Sequence, residues 1–368
     1  MEQLQTLLMQ LEAQEKVKHD YITPGKQLHF ANGKLILLAS GKEISYDATE
    51  ILHNQMAEKL DIPTKYYKRL FSEPENLKLF DENCNHWLAA SDKNYLLRTF
   101  QHAKDKANVA RALLSDRYKI IDNYAVLLEA LEAIKDSGIK VSIEGAELSD
   151  TKMYLKVVAP EVELKAEEML KEYRTALRAG TDGVISGFTL RNSEIGAGAF
   201  TIIPRAKILA CNNGMTMIKD GLKNVHLGAN MDELGFNQNK DVMRANLKLI
   251  KEQVKHAVKI FLSKEYLKKA VDVYTKLGEP KIEAPIQDVI EVVGKDNGFN
   301  EERKANILKF FVEGGDTRRI GLVNAITAEC QTVEDIDARN EGEIVADDVL
   351  HTFNKIEAAA LKVKRNSN

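Results

Sequence analysis

Apolar positions spaced three and four apart open the chain, with Leu4, Leu7, Leu8 and Leu11 on one face of a helix predicted over residues 2–18. The pattern then changes to short apolar or alternating runs in QLHFANGKLILLASGKEISYD, divided by Asn32-Gly33 and Ser40-Gly41. Those dipeptides supply residues that accept positive φ, so a three-stranded meander is expected. Asp47 can cap a helix from about 48 to 60, Pro63 begins a second short helix, and NYLLRTF (Asn94 to Phe100) alternates as a strand.

A second β-rich region spans about 139–215. IKVSIEGAEL and KMYLKVVAP read as a hairpin, and residues 161–178 as helix or loop. GVISGFTLRNSEIGAGAFTIIPRAKILACNNGM (Gly183 to Met215) follows with three strand-like runs around two polar, glycine-flanked turns. From about Gln238 the period becomes helical. One long helix, broken near Ser263, leads to shorter ones at 284–294, 300–312, 319–330 and 341–362. The expected class is α+β, with a mixed or antiparallel sheet core and a mainly helical C-terminal third. The expected organisation is 1–100 as an N-terminal α+β region, 101–235 as a β-rich core and 236–368 as a helical region.

Composition narrows the setting. A 368-residue chain with 44% hydrophobic and 29% charged residues is ordinary for a soluble globular protein. No run approaches the ~18 apolar residues of a membrane span, and three dispersed cysteines without a CxxC pair fit a reduced, cytoplasmic protein. The net charge of −3 gives no global attraction to nucleic acid, so such binding must come from a local patch. Homo-oligomerisation is left open.

The best local patch is the long helix. Arg244, Lys248, Lys251, Lys255 and Lys259 form a basic ridge beside an apolar stripe of Met243, Leu247, Ile250, Val254, Val258 and Phe261. The ridge could track a phosphate backbone, aided by Arg98, Arg111 and Arg117. The plainer alternatives are a solvated face or pairing with the acidic segment Glu329 to Asp348. MAEKLDIPTKYYKRL has the rhythm of a helix-turn-helix, although its second helix is short and Tyr66, Tyr67 and Leu70 are expected to pack inward.

Small polar residues at the strand ends form the other candidate site. Asn192, Ser193, Asn213 and His226, with Ser115 near Arg111, could bind a small ligand. Asp122 or Asn123 can instead be a helix cap, and Cys211 a buried residue before an Asn-Gly turn rather than a nucleophile. Gly314-Gly315 before Arg318-Arg319 is either an anion site or a plain helix start. No P-loop, HExxH, GxSxG or GxGxxG occurs, and the histidines stand alone, so neither a metal nor an organic cofactor is expected.

RALLSDRYKIIDN, RNSEIGAGAFTI, ILACNNGM and His226-Leu227-Gly228 occur in this order with MAEKLDIPTKYYKRL, NHWLAA and YLLRTF upstream and GLVNAITAE downstream. Together they resemble the phage/plasmid-like protein family defined only by a domain of unknown function. The resemblance covers roughly residues 45–330, with Cys-Asn-Asn-Gly where Cys-Thr-Asn-Gly or similar is expected. It implies a prophage or plasmid setting and supplies neither an activity nor catalytic residues. The leading expectation is a non-enzymatic accessory protein that binds nucleic acid in replication, recombination or counter-defence. A ligand binder or enzyme using the Asn192/Asn213 region is the alternative, and an inhibitor or assembly protein a third.

Overall fold

The computed structural model describes residues 2–103, 106–210, 214–217, 220–224 and 240–365. Helix α1 (Glu2–Val17) leads into strands β1 (Lys18–Pro24), β2 (Leu28–Ala31), β3 (Lys34–Ala39) and β4 (Lys42–Ala48). Helices α2 (Glu50–Lys59), α3 (Thr64–Ser72) and α4 (Leu77–Ala90) follow, then β5 (Asn94–Phe100), β6 (Val109–Ser115) and α5 (Asn123–Asp136). The second sheet comprises β7 (Ser142–Leu148), β8 (Met153–Lys165), β9 (Gly183–Asn192), β10 (Phe200–Ile208), β11 (Gly214–Thr216) and β12 (Leu222–Asn224), with α6 (Glu167–Leu170) and α7 (Arg174–Ala179) between β8 and β9. The chain ends in α8 (Lys240–Phe261), α9 (Lys264–Gly278), α10 (Ile286–Asn297), α11 (Glu301–Gly314), α12 (Arg319–Cys330) and α13 (Ile336–Arg365).

The fold is α+β, with one mixed and one antiparallel sheet and a helical C-terminal region. The first sheet has the order β1-β5-β6-β4-β3-β2, and β4 pairs with β6 in parallel. The 100/101 boundary expected from sequence passes between β5 and β6, which are antiparallel neighbours in this sheet. Helices α2 to α4 bury Leu52, Met56, Tyr67, Phe80 and Leu88 against one face of it. Asp47 does not cap α2: it stays in β4 and pairs with Lys34, while Thr49 caps the helix by accepting from Leu52 N. The meander turns form at Asn32-Gly33 and Ser40-Gly41, all with positive φ.

The second sheet runs β11-β10-β9-β8-β7, with β12 on β10. Met153, Leu155, Val157, Phe188, Leu190, Phe200 and Ile202 point from it to α1, α5 and α8. Ile250, Val254, Val258 and Phe261 of α8 are buried there, so its apolar stripe behaves as the periodicity requires. Helices α9 to α13 build a third core over the end of the sheet around Val184, Ala206, Ile208 and Met215. The long-helix break falls at Ser263, whose hydroxyl caps α9 by accepting from Tyr266 N. No helix among the described residues is long and apolar enough to cross a membrane.

In the first core, His53 is buried against Phe71, with ring centroids 4.0 Å apart, and its Nδ1 lies 2.9 Å from the Tyr67 hydroxyl. Burial pushes its pKa down from 6.5 to about 4, against the weaker pull of Glu50. The folded pKa is below the unfolded one, so the unfolded chain takes up the proton first. Stability is complete above pH 6.5 and falls as the pH drops towards 4. Urea melts at pH 7 and pH 5 should show the wild type losing about 2 kcal/mol more than His53→Phe between those values. Equal losses in both proteins would mean that His53 is not buried in its neutral form.

Candidate functional site

The two sheets meet through a buried polar junction built on Arg98 of β5, which is fully inaccessible. Its guanidinium donates to Asp20 (Nε 3.2 Å, Nη2 2.9 Å), to Asp122 (2.7 Å) and to the Glu194 carbonyl (2.7 Å). Lys18 adds an ion pair to Asp122 at 2.9 Å. Burial alone would raise the Asp122 pKa, but Arg98 and then Lys18 outweigh it and hold the carboxyl below its ordinary value. Asp122 therefore spends its side chain on these cations rather than on capping α5. Arg98 cannot serve as the phosphate contact expected from sequence, because no solvent reaches it.

The loop after β9 is the other half of the junction. Asn192 donates through Nδ2 to Ile121 O and Asn123 Oδ1, both at 2.8 Å, and Ser193 Oγ accepts from the backbone of Ile195 and Ala197. These two residues thus shape the loop that docks Ile195 and Ala197 on Leu96, Ala112 and Leu114 of the first sheet. Gly196 sits at φ +79, and a Cβ there would meet Leu114 at 2.7 Å, so glycine is required by both conformation and space. Gln55 secures the contact, donating to Ile195 O at 2.7 Å and accepting from Leu113 N at 2.9 Å.

Beside this junction lies a cleft of about 430 Å³. It is walled by the first turn of α2, the ends of β5 and β6, the β7–β8 turn, and Asn123, Glu194 and Ile195. Arg111 enters it by a β-bulge: Arg98 pairs with Ala112 and Thr99 with Ala110, which leaves Arg111 as the extra residue. Its guanidinium stacks 4.1 Å over Phe100, and Nη2 donates to Glu194 at 2.9 Å. Its Nη1 is buried without a hydrogen-bond partner. Glu194, almost wholly buried, also accepts from Asn123 N at 2.7 Å. Across the cleft, Ser149 and Thr151 donate to Asp337 of α13 and Lys152 pairs with Glu341 at 3.0 Å, so the turn is pinned from behind. Glu15, Asp122 and Glu194 bring carboxylate oxygens within 4.8 Å of one another. Lys18, Arg98 and Arg111 already supply the positive charge there, so the cluster is an ion-pair network rather than a vacant cation site.

The remaining expected residues are dispersed. Ser115, the last residue of β6, and Arg117, on the turn that follows, are exposed, and Ser115 Oγ accepts from Arg117 N; Ser115 lines a shallower pocket with Gln55 and Tyr118. Asn213, His226 and Cys211 lie outside the described residues. On α8, Arg244, Lys248 and Lys259 are exposed. Lys251 instead pairs with Glu132 at 2.8 Å and Lys255 with Asp136 at 3.3 Å, both acids on α5. The acidic segment from Glu329 therefore does not face the ridge in these pairs; its Glu329 meets Arg303, Glu341 meets Lys152 and Arg191, and Glu343 meets Lys156. Arg318 turns inward onto Asp316 at 2.7 Å, so Gly314-Gly315 precedes a structural helix start. Glu194, Asn54, Asp150 and Lys152 of the cleft were not singled out by sequence. Glu194 had a signal, since it stands inside the motif between Ser193 and Ile195.

Comparison with family models, curated proteins and solved structures returns no match for this chain.

Replacing Arg98 by Met should cost about 3–5 kcal/mol in urea unfolding, because Asp20 and Asp122 lose their buried counter-charge. Lys248→Met, on the exposed face of α8, should stay within about 0.5 kcal/mol of wild type. A loss below about 1 kcal/mol for Arg98→Met would mean that the junction is held mainly by its apolar contacts.

Proposed function

We propose that this chain is a binding protein for a small polar ligand, taken in the cleft between its two sheets with Arg111 as the anchor. The observation that carries the reading is the Arg111 Nη1, a buried donor of a charged group left without a hydrogen-bond partner at the wall of the cleft between the sheets. Such a donor normally finds an acceptor, and a ligand carboxylate would supply one. The charge of the wall narrows the ligand. Arg111 and Lys152 face Glu50, Asp150 and Glu194, one negative charge in excess. A dianion is disfavoured there, whereas a zwitterion can place its acid group on Arg111 and its amine near Asp150. Phe100, Ile51, Val109 and Ile195 offer an apolar wall for a short side chain. Asn192 contributes at one remove, by fixing Asn123.

Thermal-shift and calorimetric titration of the full chain with the amino acids and small amino carboxylates should give saturable binding by at least one of them. Arg111→Gln should weaken it about 10- to 100-fold, as expected for one lost charge-assisted bond, and Arg111→Lys should recover part of the loss. If no compound of the panel binds, or Arg111→Gln binds as well as wild type, the cleft reading fails.

A second reading, contact with nucleic acid in a phage or plasmid setting, is favoured by the exposed cations of α8 and α9. Arg244, Lys248 and Lys259 of α8 are followed by exposed Lys264, Lys268 and Lys269 on α9. Anisotropy titrations with single- and double-stranded oligonucleotides across a salt series check it. The triple change of Lys248, Lys259 and Lys268 to Glu should weaken binding at least tenfold and flatten its salt dependence. Unchanged affinity would remove this surface from consideration.

A further inference from the structure

The face of the second sheet opposite α8 is polar, although α13 lies over it. Register puts Tyr154 and Lys156 of β8, Thr189 and Arg191 of β9, and Thr201 and Arg205 of β10 side by side. At the β7 end of this face is a pocket of about 320 Å³ lined by Lys156, Arg205, Lys207 and Arg339 together with Glu144 and Glu147. Glu144 arrives there by a second β-bulge: Ile143 pairs with Val157 and Gly145 with Lys156, leaving Glu144 over. Even with Glu343 counted beneath the pocket, four cations meet three carboxylates, and one positive charge is left over.

Arg205 is the least satisfied of the four. Its side chain is 3% exposed, its Nε has no hydrogen-bond partner, and its two ion-pair contacts are long, 3.4 Å to Glu144 and 3.5 Å to Glu343. Charge-assisted bonds of a well-seated guanidinium run at about 2.7–2.9 Å. Glu343 is already taken by Lys156 at 2.9 Å and by Gln331 at 3.2 Å, and Glu144 by Lys207. Burial, ahead of the attraction of Glu343, lowers the Lys156 pKa, and Arg205 lowers it further. Positive charge at this spot is under-compensated by the protein itself.

We propose that this pocket is an anion site, separate from the cleft, which takes the phosphate group of a small phosphorylated ligand between Arg205, Lys207 and Arg339. A tetrahedral oxyanion offers the several acceptors that Arg205 lacks and cancels the surplus charge. The proposal goes beyond the cleft reading and does not depend on it.

Inorganic phosphate is the probe, titrated calorimetrically into the full chain at pH 7 against chloride of matched ionic strength. The expected result is saturable binding with phosphate and none with chloride. Lys207→Gln and Arg339→Gln, partly exposed at the pocket, should each weaken it about tenfold, and Arg205→Gln should abolish it. If Arg205→Gln fails to fold, the two partly exposed positions still decide the matter. Arg111→Gln, in the cleft, should bind phosphate as wild type does. No saturable phosphate binding, or binding unchanged in both Lys207→Gln and Arg339→Gln, overturns the proposal. So does loss of binding in Arg111→Gln alone, which would place the anion in the cleft.

Discussion

One buried guanidinium organises how the two sheets meet. Arg98 sits where no water reaches and holds Asp20 of β1, Asp122 before α5 and the backbone of Glu194 after β9. Burying a charge is unfavourable unless it is paired and hydrogen-bonded, so each partner must arrive in place for the arrangement to be tolerable. The consequence is geometric specificity. The first strand, the start of α5 and the β9–β10 loop have one mutual placement that satisfies this group, and the cleft beside it inherits its shape from that placement.

Two β-bulges extend the same logic. In a regular ladder Arg111 and Glu144 would keep strict alternation, and their neighbours would change face with them. One extra residue in β6 and one in β7 turn a single charge without disturbing the apolar faces around it. Both candidate sites therefore lie at irregularities of otherwise ordinary sheets. The β7–β8 hairpin joins them: its turn forms a wall of the cleft, its body carries Lys156, and α13 grips both through Asp337, Glu341 and Glu343.

Periodicity exposed most elements, including the α8–α9 break, the meander and the β9–β10 hairpin. It did not expose β1, whose HDYITP lacks a clear alternation and is a strand because it pairs with β5 some 78 residues away. Nor did it identify the partner of the basic ridge. A spacing of three and four places Lys251 and Lys255 on one face but is silent about what faces them. Glu129, Glu132 and Asp136 on α5 carry the complementary spacing, a signal that was legible only as half of a pair. Of the polar residues of the Gly183–Met215 motif, Asn192 and Ser193 lie among the described residues. What they do is fix the docking loop, because Asn192 bonds to Ile121 O and Asn123 Oδ1, and Ser193 to the backbone of Ile195 and Ala197.

The parallel pairing of β4 with β6 also governs how the chain can assemble. The first sheet cannot close as a ladder of successive hairpins, since α2 to α4 and β5 must be made before β6 can slot between β4 and β5. Helix α1 waits longer still, for its seat on α5 and β7. Contacts of such long sequence separation slow the search for the native state, because loop closure must be paid before they form. The residues of α1 are thus made well before the α5 and β7 partners that tie them down.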